Sequence, residues 1–542
     1  MTSPFSRPCS RALLLLALLP ALLLAASAAM AAAGPSPADA AVRELVVAYS
    51  PKKVNLDPLH TFTAMESQLF TALYEGLLIN DPSTLEPVAG VAESWEASEK
   101  GRIWRFTLRA GAAYSNGDPV RAGDFVDSWL RMLNPDNKAE YSFLFDVIKG
   151  ARAYRSGLVR DAKTVGVRAI SDGVLEVELE KPAAHFLKLL CHISFLPLHP
   201  SLLKGTDWND AATVIGNGPF TLVKRTDAEM VLDRNARYWD AKNLGLDRIR
   251  IRFLDDASLA TDQFFMGRIQ WSTIGQYDKL ETRDRFEAFP MFATSFFYFT
   301  CDAAPWSDWR VRRGLALLLP WSEIRTSDFL FATDRLIPAI PNYPEVKGIA
   351  GQQIEEGKRL LADAGFPEGR GLPRLVIKVF SDSTGAEIAG KFAEAWKRLA
   401  GLDVVVRALA PDDFYPEMKK TDYALGMSTW IGDYADPLTF LQLWTTGSNL
   451  NDARFSDRDY DAAVADSQTM ADGALRYRRQ ADAEEILLTR AVLLPLSHSA
   501  AVHLIDLDRI DGWFPNPLDI HPFKFIRFKE KRTPTGIVMG GR

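Results

Sequence analysis

The chain has 542 residues, too many for a single hydrophobic core, so two or three lobes are expected. Hydrophobic residues at 47% and charged residues at 24% fit a folded protein with an ordinary surface. A formal net charge of -6, with no long run of one sign, argues against a nucleic-acid binder and against a charged recruiting tail.

The N-terminus reads as an export signal. Arg7 and Arg11 precede an apolar stretch from Ala12 to Ala26, and small residues follow through Ala31-Ala32-Ala33-Gly34. The apolar core is short for a membrane span. Cleavage is expected near Ala33, removing residues 1–33. Cys9 lies before the apolar core, so it is not placed to carry the lipid of a lipoprotein. No later segment offers a long uncharged apolar run, and a soluble protein outside the cytoplasmic membrane is expected. Cys191 and Cys301 remain after cleavage; an oxidising compartment permits a disulfide, but their spacing equally suits two separate buried thiols.

Leu45–Tyr49 reads as a first strand, and Met65–Leu78 as a helix with Phe70, Leu73, Tyr74 and Leu77 on one stripe. Ile103–Leu108 and Val174–Leu179 alternate as half-buried strands, with a turn cluster at Ser115–Pro119 between them. Gly216-Asn217-Gly218-Pro219 breaks the chain before a strand at Phe220–Val223. Ile354–Ala364 is predicted helical, with Gly365 as its C-terminal cap. Leu375–Phe380, Ala386–Leu399 and Val404–Arg407 follow as strand, helix and strand, which implies a right-handed crossover and a parallel pair. Lys529–Arg542 is basic, then Gly-rich, and is expected to fray. The pattern is that of a mixed α/β protein of several lobes.

Catalytic signatures are missing. The seven histidines are scattered, without His-Glu-x-x-His or paired Cys-x-x-Cys. The nearest cluster, Cys191-His192 with His185 and His199, lies in an apolar stretch that suits core packing. There is no Gly-x-Ser-x-Gly elbow, nothing pairs Glu93 or Asp118 as glycosidase acids, and the glycine block at 216–219 lacks the lysine and helix start of a phosphate loop. Neither catalysis, metal nor cofactor is expected.

Ten blocks along the chain carry a resemblance. They are Asn55-Leu56-Asp57-Pro58, Leu73-Tyr74-Glu75-Gly76-Leu77, Val91-Ala92-Glu93-Ser94-Trp95, Tyr114 to Val120, Asp124-Phe125-Val126, Gly216 to Phe220, Asn235 to Trp239, Trp309 to Arg313, Trp430 to Pro437, and Asn516-Pro517-Leu518-Asp519-Ile520. In this order the chain, from about Val46 to Phe528, resembles the oligopeptide-binding receptors of ABC importers, family 5 of the extracytoplasmic solute-binding proteins.

The resemblance implies an α/β, two-lobed periplasmic-binding-protein fold of the class II or cluster C type, with an extra domain. Domain I would be discontinuous (42–84, 214–293 and 498–530), domain II would span 85–213, domain III 294–497, and a flexible tail 531–542. Crossovers are expected near Thr294–Asp302 and Leu494–His503, with hinge closure burying the ligand. The same resemblance implies that Asp433 pairs with the α-ammonium of a peptide, an ion that is costly to enclose without an opposite charge. Backbone around Ile431 and Gly432 would pair with the peptide, Trp430 would wall a side-chain pocket, Thr63 and Ala64 would supply facing strand contacts, and Phe296 and Phe297 would add an aromatic wall.

Two positions depart from the better-known receptors. Met427 replaces an arginine and Phe62 replaces an acid, so the cleft is less charged and a cation for the ligand's carboxylate is not identified. Receptors resembling this chain also carry nickel chelates, haem, opines or oligosaccharides, and fold does not fix ligand; a ligand-free chaperone or adhesion role is a further alternative. The expected partners are a peptide and, as separate chains, the importer's permease and ATPase. Nucleic acid is not expected as a partner, the mature chain would not itself span a membrane, and a monomer is expected.

Overall fold

The computed structural model describes residues 42–530, apart from 52–53, 62, 204, 206, 209, 278–279, 281–284, 327–330, 341, 382, 449 and 471–472. The expected signal (1–33), the tail (531–542) and Phe62 lie outside the described residues. Ten strands form one large sheet: β1 (Glu44–Tyr49), β2 (Phe220–Arg225), β3 (Glu229–Arg234), β4 (Arg248–Phe253), β5 (Trp271–Ser272), β6 (Phe286–Phe299), β7 (Leu375–Phe380), β8 (Val404–Leu409), β9 (Leu425–Ile431) and β10 (Leu493–Ile505). Their order across the sheet is β8-β7-β9-β6-β10-β5-β1-β4-β3-β2.

The two longest strands, β6 and β10, run antiparallel through the middle and belong to both halves of the sheet. Their first stretch of pairing runs from Phe286↔Leu504 to Pro290↔Ala500, beside β5 and β1. Their second runs from Thr294↔His498 to Tyr298↔Leu493, beside β9. Between them the register breaks from Pro290 to Thr294, so Met291, Phe292 and Ala293 bulge out of the ladder. An interruption of this kind bends a strand and increases its twist. It divides the half-sheet of β1–β5 from the half-sheet of β7–β9.

The β7–β9 half follows the strand–helix–strand pattern read from the sequence. β7 and β8 are parallel in register from Leu375↔Val404 to Phe380↔Leu409, joined by a helix over Ser383–Ala400. Phe392 and Trp396 of that helix are buried against Phe297, Phe299 and Trp321. The helix Ile354–Asp363 ends as predicted, with Gly365 at a φ of +93°.

A separate four-stranded antiparallel sheet has the order Ala92–Ser98, Ile103–Leu108, Val174–Glu178 and Val167–Ser171. The helix Ala122–Leu133 contributes buried Phe125 and Trp129 beside it. Trp129 packs edge-on against Phe145 and Phe195 and donates its indole N–H to Phe195 O at 3.0 Å.

The helix predicted over Met65–Leu78 is shorter. Helix α1 spans Ala64–Leu73, with a capping box between Thr63 and Glu66. It stops because Tyr74 turns extended and the Gly216–Gly218 block packs against the backbone there. A Cβ at Gly218 would sit 2.5 Å from Tyr74 N, while Asn217 accepts from Glu75 N at 3.1 Å and donates to Glu75 O at 2.8 Å. The glycine block is thus a cradle for residues 73–75 as well as a chain break. Glu75 in turn accepts from Tyr238, from Trp239 Nε1 at 2.6 Å and from Lys524 Nζ at 3.0 Å. The block at 73–77 thus meets two blocks more than 140 positions further along the chain in one buried knot.

Candidate ligand-binding site

Strand β9 pairs with β6 along its whole length, from Phe299↔Leu425 to Ala293↔Ile431. Its other edge pairs with β7 only at Leu425 and Gly426. From Met427 to Ile431 that second edge has no strand partner among the described residues, so an extended segment could pair there.

At the end of β9 the chain passes through Gly432. A Cβ at this position would lie 2.6 Å from the Phe292 ring and 2.9 Å from Thr439, so glycine is required for the close approach. Gly432 N–H donates to Phe292 O at 2.7 Å. Asp433 N–H then donates to Thr439 Oγ1 at 2.9 Å, and Thr439 Oγ1 donates to Asp433 Oδ2 at 3.4 Å. The Tyr141 hydroxyl, from the segment Glu140–Val147, acts on the same carboxyl and lowers its pKa.

Asp433 makes no ion pair among the described residues. Burial pushes its carboxyl up to about 8, against the lowering effect of the Thr439 and Tyr141 hydroxyls. Asp436, three residues on, is used differently. It is buried in a bidentate pair with Arg476 at 2.6 and 2.7 Å and caps Leu438 N at 3.0 Å. Of the two acids in the Trp430–Pro437 block, only Asp433 faces open space.

That space is a recess of about 690 Å³, including the solvent at its mouth. Helix α1 lines it with Ser67, Phe70 and Thr71, the segment after the four-stranded sheet with Cys191 and His192, and the C-terminal segment with Ile520 and Lys524. Asp433 is its one lining residue from 294–497 among the described residues. The recess therefore carries both charge signs on largely apolar walls, but Lys524 is already held by Glu75. Nearby contacts close the two sides together: His185 stacks on Tyr434 at 5.6 Å, and Lys188 Nζ donates to Ala435 O at 3.3 Å.

The other predicted site residues divide. Trp430 is half-buried and packs on the core, and Ile431 is 41% exposed at the strand end. Met427 is half-buried against the core under the helix Ser383–Ala400. The aromatic wall is corrected. Phe296 and Phe297 are 1% and 0% exposed, packed on Trp444 and Phe392 on opposite faces of the sheet. Both are buried because β6 lies in the middle of a sheet covered on both faces. The facing strand is corrected too. Thr63 caps α1 and Ala64 is its first residue, so the helix turns Ser67, Phe70 and Thr71 to the recess instead.

Tyr141, Cys191 and His192 were missed by the sequence reading. Tyr141 stands outside all ten blocks, and Cys191-His192 was read as core packing. Both thiols are unpaired. Burial holds the His192 imidazole neutral, with its pKa down to about 3. A further cluster also escaped the linear reading: His503, Asp519 and His521 converge, with each His Nε2 at 2.9 or 3.0 Å from Asp519 Oδ1.

Among the described residues no helix is long and apolar enough to cross a membrane. The family described as bacterial extracellular solute-binding proteins, family 5 (middle region), matches residues 86–452. The periplasmic oligopeptide-binding protein OppA of Salmonella typhimurium is 29% identical over 513 residues, covering 89% of this chain and 92% of that protein. The dipeptide-binding protein DppE of Bacillus subtilis is 26% identical over 480 residues, covering 86% and 88%. Among solved structures, the murein tripeptide binding protein MppA of Escherichia coli superposes with a TM-score of 0.78 at 26% identity, covering 91% of this chain and 99% of that one. Against the unliganded open form of MppA the TM-score is 0.70. The two-lobed α/β architecture is that of these binding proteins, and the chain belongs to family 5 of the bacterial extracellular solute-binding proteins.

Proposed function

We propose that this chain is a peptide receptor: it captures a short peptide between its lobes, with the free α-ammonium on Asp433 and the peptide backbone along the open edge of β9, and delivers it to the permease and ATPase of an ABC importer. The observation that carries this reading is a carboxyl in a recess, with no ion-pair partner of its own among the described residues, at the end of an unpaired strand edge. An ammonium sealed there meets an opposite charge and hydroxyl partners, and a strand edge binds backbone without reading side chains. A cationic amine gains most from Asp433, because its charge favours the ionised carboxylate.

The reading extends to the whole chain. Domain I comprises 42–84, 214–293 and 498–530, domain II 85–213 and domain III 294–497, with closure about the bulge in β6. The protein is exported through a cleaved signal, is not a lipoprotein, acts as a monomer and does no chemistry on its ligand. Isothermal titration with a peptide and its N-acetylated form tests the ammonium contact. Acetylation, or Asp433→Asn, should weaken binding roughly 30-fold, the worth of about 2 kcal/mol for a hydrogen bond to a charged group. Equal affinities for the free and acetylated peptides would sink the proposal.

A further inference from the structure

The block Asn516–Ile520 touches the recess only through Ile520. Asp519 has a φ of +54°, a backbone conformation that a side-chain-bearing residue adopts only when its surroundings fix it. Its Oδ1 accepts from both His503 Nε2 and His521 Nε2. Burial acts to raise the Asp519 carboxyl, but the two imidazole bonds outweigh it and hold it down at about 2.

The cluster has the residue types of a metal site but not its donor arrangement. Trp271 Nε1–H donates to His503 Nδ1 at 3.1 Å, which places the proton of a neutral ring on Nε2, directed at Asp519. A metal would need that nitrogen's lone pair, and moving the proton to Nδ1 would set it against the indole N–H. Trp513 stacks on His521 at 4.2 Å and closes the other side. The cluster is a hydrogen-bonded brace.

What it braces leads to Asp433. Asn516 closes the turn by donating from Nδ2 to Ile520 O at 2.8 Å, and Asp519 N–H donates to Asn516 O at 3.0 Å. Within this turn Pro517 O accepts Phe292 N–H at 2.6 Å. Phe292 belongs to the bulge in β6, and its own carbonyl accepts Gly432 N–H at 2.7 Å, one residue before Asp433. The Phe292 ring stands edge-on to Phe440 at 4.9 Å and sits against Gly432. A continuous set of hydrogen bonds thus runs from the β5–β10 side of the molecule, through the bulge, to the residue before Asp433.

We infer that the His503–Asp519–His521 brace and the Phe292 bulge form a hinge bearing, and that Asp519 is a positioning residue for ligand capture at Asp433. The inference rests on the reading of the recess as the ligand site. Two bonds from one carboxylate fix the turn, the turn fixes the direction of one carbonyl, and that carbonyl fixes the bulge across which the lobes meet.

The test uses the exported full-length protein with Asp519→Ala and Asp519→Asn. Asparagine keeps an oxygen that both imidazoles can use, whereas alanine keeps none. Binding of a defined pool of tri- and tetrapeptides is read by native mass spectrometry, and closure of the ligand-free protein by small-angle scattering. Asp519→Ala should bind at least tenfold more weakly and scatter as a more open particle, while Asp519→Asn stays within threefold of the parent protein in binding and matches its scattering. Alanine matching the parent in both readouts, or asparagine failing as alanine does, would overturn the bearing. If Asp519→Ala does not fold, Gly432→Ala replaces it: that variant should lose binding and regain part of it when combined with Phe292→Leu, and no regain counts against the idea. A parent protein that binds none of the peptides would reject the peptide reading, and the scattering comparison would still decide the bearing.

Discussion

Asp433 has a consequence that reaches beyond binding. In the closed arrangement burial pushes the Asp433 carboxyl up to about 8, which favours its protonated form at neutral pH. An arriving ammonium favours the carboxylate, so capture should release a proton. Titration at pH 7 in two buffers of different ionisation enthalpy should show release of a sizeable fraction of one proton per ligand, absent in Asp433→Asn. The stability consequence has a definite sign. The folded state keeps the proton up to about pH 8 and the unfolded chain loses it near pH 4, so over that window the folded state binds more protons. The contribution of Asp433 to stability must therefore fall as pH rises through the window. Glu484, raised to about 7 by burial, contributes in the same direction. Melting curves at pH 5 and pH 8 should show a smaller difference in Asp433→Asn than in the parent, with the remainder belonging to Glu484 and other groups. An unchanged difference would place Asp433 in solvent.

At the scale of elements, most of the sequence blocks serve joints between segments. Asp57 takes a bidentate contact at 2.9 Å from Arg131, tying the first segment to the helix Ala122–Leu133. Buried Arg312 of the Trp309–Arg313 block donates to three main-chain carbonyls, those of Trp306, Ser307 and Arg490. Asn217 is the clearest case, because its amide satisfies both the N–H and the C=O of Glu75 in a fully enclosed place. Asn217→Ala would leave both groups unpaired and should cost about 2–3 kcal/mol in a urea unfolding experiment. A loss well under 1 kcal/mol would mean that water replaces the amide. Lys188 is a joint of another kind, reaching from the segment after the four-stranded sheet to Ala435 O. Lys188→Ala should weaken peptide binding a few-fold while leaving the urea midpoint of the ligand-free protein nearly unchanged, since a half-exposed contact of this type contributes little to the fold.

For the whole molecule, closure couples ligand to stability. A ligand that binds only the folded form at a hundred times its Kd stabilises it by about 2.7 kcal/mol. A bound peptide should therefore raise the melting temperature by several degrees, and Asp433→Asn at the same peptide concentration should lose most of that rise. How much of this was legible beforehand differs between fold and site. Local order could be read from the chain: β7, β8 and the helix between them stand where alternation and helical spacing put them, and Gly365 ends its helix by the backbone freedom that only glycine supplies without strain. The Trp430–Pro437 block forms a turn that sets Asp433 at the recess, because a short sequence carries its own local geometry. Distant neighbours could not be read. Phe296 and Phe297 look like a paired wall in a line of text, but alternation sends them to opposite faces and a two-sided sheet buries both. Tyr141 meets Asp433 across almost 300 positions, and His503, Asp519 and His521 meet only because β10 and the C-terminal segment fold over Trp271. The sequence by itself determined the lobed α/β class, the order of its elements and the acid-bearing turn, since these follow from periodicity, glycine placement and short-range spacing. The tertiary structure alone decided which acid faces the recess, what encloses it and what holds the hinge, because burial and charge pairing depend on residues that become neighbours only when the chain has folded.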